Sequence, residues 1–215
     1  MKKISALVTI YHPDQKVRMN MASLAEQVDR VILCDNSDNN NKEIFDGIKN
    51  CTYIPFLQNF GISIAFNKVL TDKKFEWNDN DILIFFDQDS SIESHHIKKL
   101  YSRYLNLKEK GINVGCIGPI FFNKSNNQIE EPRIKRMIND EDMVVKSIIT
   151  SSMLCSYEDI KKIGFWNENL FLDMADWDIS WRFQKYGYVV MMTRAVTLFH
   201  VSSQVITTSS SNPVK

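Results

Sequence analysis

An excess of charge of either sign is missing: 26 Lys and Arg stand against 26 Asp and Glu in 215 residues, so the formal net charge at pH 7 is zero. That balance excludes a chain made chiefly to coat nucleic acid. Long apolar runs are lacking too, and none approaches the length of a membrane span. Met1-Lys2-Lys3 leads straight into a short apolar run at 4–8 that has no leader cleavage site, so the expected location is the cytosol. The four cysteines, Cys34, Cys51, Cys116 and Cys155, form no C-x-x-C pair, and three sit in strand-like apolar contexts. Reduced, buried thiols are expected. Glycine is absent from the first turn, Tyr11-His12-Pro13-Asp14, which excludes a glycine-rich phosphate cradle there.

What is present is an alternation of strand and helix at short intervals. Apolar runs at 3–11, 30–34, 51–56, 82–86, 114–117 and 144–151 read as strands, with two more at 188–192 and 196–199. Between them the helical period recurs: Val17, Met21, Leu24 and Val28 behind Pro13; Ile64, Ala65 and Val69 behind Gly61; then 96–108, 157–163 and 176–186. Such alternation predicts an α/β domain with a mostly parallel sheet flanked by helices. With 44% hydrophobic residues the chain can fill one core. One domain is expected over residues 1–201, followed by a disordered Ser/Thr-rich tail over 202–215. The polar, aperiodic stretch 123–142 reads as a loop or a small irregular insertion.

The stretch that organises the rest is Asp81-Ile-Leu-Ile-Phe-Phe-Asp87-Gln-Asp89-Ser90. Five apolar residues without alternation suit a strand covered on both faces, and its carboxylates arrive where the strand ends. In open α/β sheets that edge is where ligands bind. Asp87 and Asp89, one residue apart, can reach one cation or the ribose and phosphates beside it. Alternatively the pair only forms a turn in which Asp89 or Ser90 caps the next helix. Asp176 and Asp178 are similarly double: helix-start carboxylates favoured by the dipole, or chemistry-bearing groups. Trp166, Trp177 and Trp181 could stack on a sugar, although at this spacing core packing suits Trp181 better. His95 and His96 read as solvated residues at a helix start.

Five segments in order carry a resemblance: Val8-Thr-Ile-Tyr11-His12-Pro13, Asp35-Asn36-Ser37, Asn59-Phe-Gly61-Ile-Ser-Ile-Ala65-Phe-Asn67, Phe86-Asp87-Gln88-Asp89-Ser90, and Asn169-Leu-Phe-Leu-Asp173-Met-Ala-Asp176-Trp-Asp178 with Arg182. Together they resemble the GT-A glycosyltransferases of family 2, in particular the bacterial rhamnosyltransferase-like branch. The resemblance implies a GT-A, Rossmann-like fold and an inverting transfer from a nucleoside-diphosphate sugar, dTDP-rhamnose or a UDP-hexose. The implied acceptor is a glycan or polyprenyl-linked precursor of a surface polysaccharide, handled in the cytoplasm with peripheral contact at the inner membrane face left open. No nucleic-acid partner is expected.

By the same resemblance Tyr11 and Asp35 line the nucleotide pocket, Asp35 accepting from the pyrimidine N–H, while Asn59, Gly61 and Asn67 shape the wall around base and ribose. Asp87 and Asp89 are the D-x-D pair for a divalent ion, Mg²⁺ or Mn²⁺, with His200 a further ligand, and Asp176 is the catalytic base. Ala175 stands where the family often has Glu, and Ser151-Ser152 replaces a stretch that commonly contains glycine. Two other readings stay open: a non-catalytic glycan- or nucleotide-binding partner in a polysaccharide assembly complex, and a sugar nucleotidyltransferase, which the glycine-free first turn disfavours.

Overall fold

The computed structural model describes residues 2–123, 128–130 and 133–200. In chain order its elements are β1 (Ile4–Ile10), α1 (Gln15–Ala25), β2 (Arg30–Asp35), β3 (Cys51–Pro55), α2 (Gly61–Leu70), β4 (Ile82–Asp87), α3 (His96–Glu109), β5 (Val114–Asn123), β6 (Gln128–Glu130), β7 (Ile134–Met137), β8 (Asp142–Val145), β9 (Met153–Ser156), α4 (Tyr157–Lys162), α5 (Ala175–Lys185) and β10 (Val189–His200). The tail expected over 202–215 lies outside the described residues.

The strands form one sheet in the order β3-β2-β1-β4-β9-β5-β10-β8-β7, with β6 on β5. Parallel pairing joins β3, β2, β1 and β4, and again β5 and β10, whereas β9 is antiparallel to both β4 and β5. Among the described residues β6, β8 and β9 run against the other seven strands, so the sheet is mixed but mostly of one direction. This is the α/β architecture expected from the sequence.

The uninterrupted apolar runs of β1 and β4 are explained by helices on both faces. Leu7, Ile32 and Phe85 pack with Phe66 and Val69 of α2 and with Ile179 and Phe183 of α5. Ala6, Val8, Ile84 and Phe86 face the other layer, where α1 contributes Met21 and Leu24 and α3 contributes Leu100 and Tyr104. Phe85 and Phe86 therefore anchor opposite layers of the core, and burying each fully is worth roughly 1.5–3 kcal/mol. Helix α1 starts because Asp14 caps it, its carboxylate accepting from the Val17 N–H at 2.9 Å. Pro13 thus lies just outside the helix rather than in its first turn.

Three elements differ from the sequence expectation. Of the strand expected over 144–151 only the first two residues are strand, as the end of β8; the chain then breaks before β9, and in that break Ser152 is left-handed (φ 65°) and gives its N–H to the Phe85 carbonyl. The two final strands are one, β10, with a register shift between Thr193 and Thr197. The polar stretch near 123–142 holds the short strands β6 and β7. No helix among the described residues is long and apolar enough to cross a membrane.

Candidate active site

The parallel strands β2, β1 and β4 end together. Their registers place Ile10 beside Asp35 and Thr9 beside Asp87, so the residues after each strand share one edge of the sheet. The loops are tied to one another there. Tyr11 donates its N–H to Gln88 Oε1 (2.9 Å), and Gln88 Nε2 returns a bond to the Tyr11 carbonyl (3.0 Å). His12, left-handed at φ 46°, donates its N–H to Ser37 Oγ at 2.7 Å. Tyr11 itself is about half exposed and packs edge-on against the His12 ring.

Asp35 is fully buried at this edge. One carboxylate oxygen accepts from Ser37 N–H (2.8 Å) and Ser37 Oγ (2.5 Å), the other from Asn41 Nδ2 (2.9 Å) and Tyr53 OH (2.6 Å). A carboxylate offers about four acceptor positions, so the protein itself fills them. Burial, followed by the bond to Asp35, pushes the Tyr53 hydroxyl pKa up.

The Asn59–Asn67 segment is a junction between two parts of the site. Asn59 Oδ1 accepts from Gly61 N–H at 3.0 Å, and Asn36 binds both the Gly61 carbonyl and the Phe60 N–H. Gly61 has φ 71°, and a Cβ there would lie 2.2 Å from the Phe171 carbonyl oxygen. Only glycine allows that approach. The buried Asn67 side chain donates to the Trp166 carbonyl and to Glu168 Oε1 and accepts from Trp166 N–H, all within 3.0 Å. Asn67 therefore holds the segment that leads into α5.

Asp87 ends β4. Ser90 Oγ donates to its Oδ1 at 2.7 Å, its own N–H donates to Ser151 Oγ, and the two serine hydroxyls lie 2.7 Å apart. A cavity of about 260 Å³ is lined by Asp87, Thr9, Thr150, Ser151, Asp173 and Asp176. Asp89 lines a different, smaller hollow beside His12, Lys16 and Asn20. Residue 91 meets residue 199 across an isolated antiparallel bridge, with Ser91 N–H bonded to the Phe199 carbonyl at 3.2 Å. That bridge brings the end of β10, and the His200 backbone, next to the Asp89 turn. The His200 side chain lies outside the described residues.

The first turn of α5 separates its two acids. Asp178 is paired with Arg182 (Nε to Oδ2, 2.7 Å), whose guanidinium also binds the Ile163 and Phe165 carbonyls. Asp176 makes no ion pair among the described residues; its Oδ1 accepts the neighbouring Trp177 N–H at 2.8 Å. Burial, and secondarily the nearby Asp173 charge, raises the Asp176 pKa above the ordinary carboxylate value. Asp176 also lines a second cavity, of about 400 Å³, together with Phe121, Arg133, Lys146, Trp177 and Trp181. It thus stands where two cavities meet, Asp87 in one and the tryptophans in the other.

Two sequence expectations are corrected. Trp181 is 39% exposed on the cavity wall, and it is Trp166 that fills the core. His96 is buried, not solvated: its Nε2 lies 2.7 Å from Ser152 Oγ, and burial lowers its pKa to about 4. Lys146 and Arg133 at the second cavity carried no motif, because Lys146 reaches it from the break between β8 and β9 and Arg133 from the residue before β7.

A sequence profile described as Glycosyl transferase family 2 matches residues 5–164, most of the chain. The chain belongs to glycosyl transferase family 2. That membership supports glycosyl transfer as its activity. The chain is 28% identical over 212 residues to the dTDP-rhamnosyl transferase RfbF of Shigella flexneri, covering 92% of this chain and 68% of that protein. It also resembles the solved structure of GalNAc-T7 with UDP, GalNAc and Mn²⁺, with a TM-score of 0.72 and 12% identity. The match spans 94% of this chain but only 44% of that one, and it establishes a shared GT-A fold. The family match ends at residue 164, before α5 and β10.

Proposed function

We propose that the protein is a metal-dependent inverting glycosyltransferase that moves a sugar from a nucleoside-diphosphate donor to a glycan or polyprenyl-linked acceptor in surface polysaccharide synthesis. The observation that carries the reading is Asp176, a carboxylate of raised pKa with no cationic partner among the described residues, at the junction of the two cavities. The Asp87 cavity suits the donor and the tryptophan-lined cavity suits the acceptor, since saccharide faces pack on aromatic walls. The donor candidates are dTDP-rhamnose and UDP-hexoses. Support comes from the Shigella relative, a dTDP-rhamnosyl transferase, and from the GalNAc-T7 structure, which holds UDP.

Asp176 takes the proton of the acceptor hydroxyl as that oxygen bonds to the anomeric carbon. The bond from that carbon to the diphosphate breaks on the opposite side, so a single displacement inverts configuration. General-base help of this kind is worth roughly 10²–10⁴-fold. The raised pKa makes Asp176 a better proton acceptor than an ordinary carboxylate.

The donor set at the D-x-D turn fits a hard divalent ion. Mg²⁺ characteristically uses one or two carboxylates and completes its shell with substrate phosphate and water. Among the described residues no three His, Cys, Asp or Glu side chains converge. Asp89 and Asp87 would hold the ion, with His200 as a further candidate; when bound, the ion neutralises the charge developing on the leaving diphosphate. Tyr11, tied to Gln88 of this turn, and Asn59 and Gly61 at the entry of α2 would shape the wall around base and ribose. Asp35 serves the nucleotide pocket by fixing the loop 35–41, given that its acceptor positions are already filled.

Asp176→Asn tests the assignment. Donor binding is expected to persist while turnover falls by at least a hundredfold, and a near-normal rate would place the base elsewhere.

A further inference from the structure

The acceptor cavity carries more positive charge than a neutral sugar needs. Arg133 enters it from the segment before β7, and Lys146 from the break between β8 and β9. Lys146 Nζ lies 5.4 Å from the centre of the Trp181 ring, and Trp181 in turn sits 6.0 Å from Trp177. Neither cation makes an ion pair among the described residues, unlike Arg103 with Glu141, Lys108 with Asp159 and Lys161 with Asp79. The rest of the lining is apolar, with Phe121, Ile148, Ile149 and Met192. The one carboxylate in the wall is Asp176.

Two cations that make no ion pair among the described residues, on an aromatic and apolar wall, are a site for an anion attached to something that stacks. We infer that Lys146 and Arg133 bind an anionic group of the acceptor, a phosphate or a carboxylate adjoining the sugar that lies on Trp177 and Trp181, so that neutral glycans are poor acceptors. This rests on the reading of the cavity as the acceptor site. Lys146 is held at the Trp181 ring by cation–π attraction, which puts its ammonium beside the surface on which the sugar would lie. Arg133 adds a planar fork suited to the paired oxygens of either anion.

The test uses tryptophan fluorescence of the full chain, titrated with glucose, glucose 1-phosphate and glucuronic acid in the presence of saturating nucleoside diphosphate and Mn²⁺. At least one of the two anionic sugars is expected to bind about tenfold or more tightly than glucose. The double variant Lys146→Ala with Arg133→Ala is expected to lose that preference, Lys146→Arg to keep it, and Lys74→Ala with Lys161→Ala, a double control that removes two cations elsewhere, to keep it as well. Preference for the phosphate alone identifies the anion as a phosphate, while preference for both admits a carboxylate. Equal affinity for the three sugars, or a preference that survives in the double variant, overturns the inference. If no nucleoside diphosphate binds, the donor reading fails separately, and the same sugar titrations run without nucleotide still decide between preference and none.

Discussion

Arg182 takes Asp178 and leaves Asp176. The guanidinium lies one helical turn after Asp178 and its Nε grips it at 2.7 Å, while Nη1 is spent on the carbonyls of Ile163 and Phe165. Two acids that look equivalent in the sequence therefore have different chemistry: one anchors α5 to the preceding loop, and the other keeps a proton-accepting carboxylate at the cavity.

Removing that anchor should unsettle the site from behind. Arg182→Ala leaves two carbonyls and the Asp178 carboxylate without their partner, a loss of about 1–3 kcal/mol. A lower urea midpoint, with turnover reduced in step, is the expected result; unchanged stability would mean the loop is held by Asn67 alone.

Gly61→Ala should be costly for two reasons that add. The backbone is left-handed there, and the new Cβ would meet the Phe171 carbonyl oxygen at 2.2 Å. A loss of at least about 2 kcal/mol in chemical denaturation is expected, since the left-handed region alone costs roughly 1–2 kcal/mol for a residue with a Cβ. A neutral substitution would show that the α2 entry can shift away from the loop before α5.

His96 predicts acid sensitivity. In the folded chain it holds its neutral form down to about pH 4, whereas an unfolded histidine takes a proton near 6.5. Between those values only the unfolded state gains the proton, so stability is fully present above pH 6.5 and falls as pH drops toward 4, by up to about 3 kcal/mol. Denaturation midpoints measured across that window should fall in the native protein and flatten in His96→Gln.

Asp176 predicts a pH dependence of catalysis itself. The base works only as a carboxylate, and burial raises its pKa, so the acid limb of kcat/KM should lie above the ordinary carboxylate range. The charged groups that share its two cavities are Asp173, which raises it further, and Asp87 in the first, and the cations Lys146 and Arg133 in the second. A rate that stays flat down through the ordinary carboxylate range would argue against this group.

The sheet and the segments at its edge were legible because both depend on local pattern. Unbroken apolar runs announced β1 and β4, and the acids that follow them fall at the strand ends by simple spacing. What was not legible depends on contacts far apart in the chain. Asn67 bonds across 99 residues to Trp166, and Gly61 is required by the Phe171 carbonyl, which only the fold brings near. The run at 144–151 looks like one strand because Ile148 and Ile149 are apolar, yet Ser151 and Ser152 are claimed by Asp87 and Phe85 of the neighbouring strand, and the chain breaks there. His96 looked solvated because its neighbours in sequence are polar; its burial comes from the apposition of α3 and β10 with Ser152.

The most direct measurement is calorimetric titration of the protein with UDP, dTDP and GDP, each with and without Mn²⁺. One of them is expected to bind in a Mn²⁺-dependent way, with Asp89→Asn losing that dependence and Asp176→Asn retaining it. Binding of none, or an affinity that is the same without the ion and unchanged in Asp89→Asn, would contradict a metal-assisted nucleotide-sugar site at the end of β4.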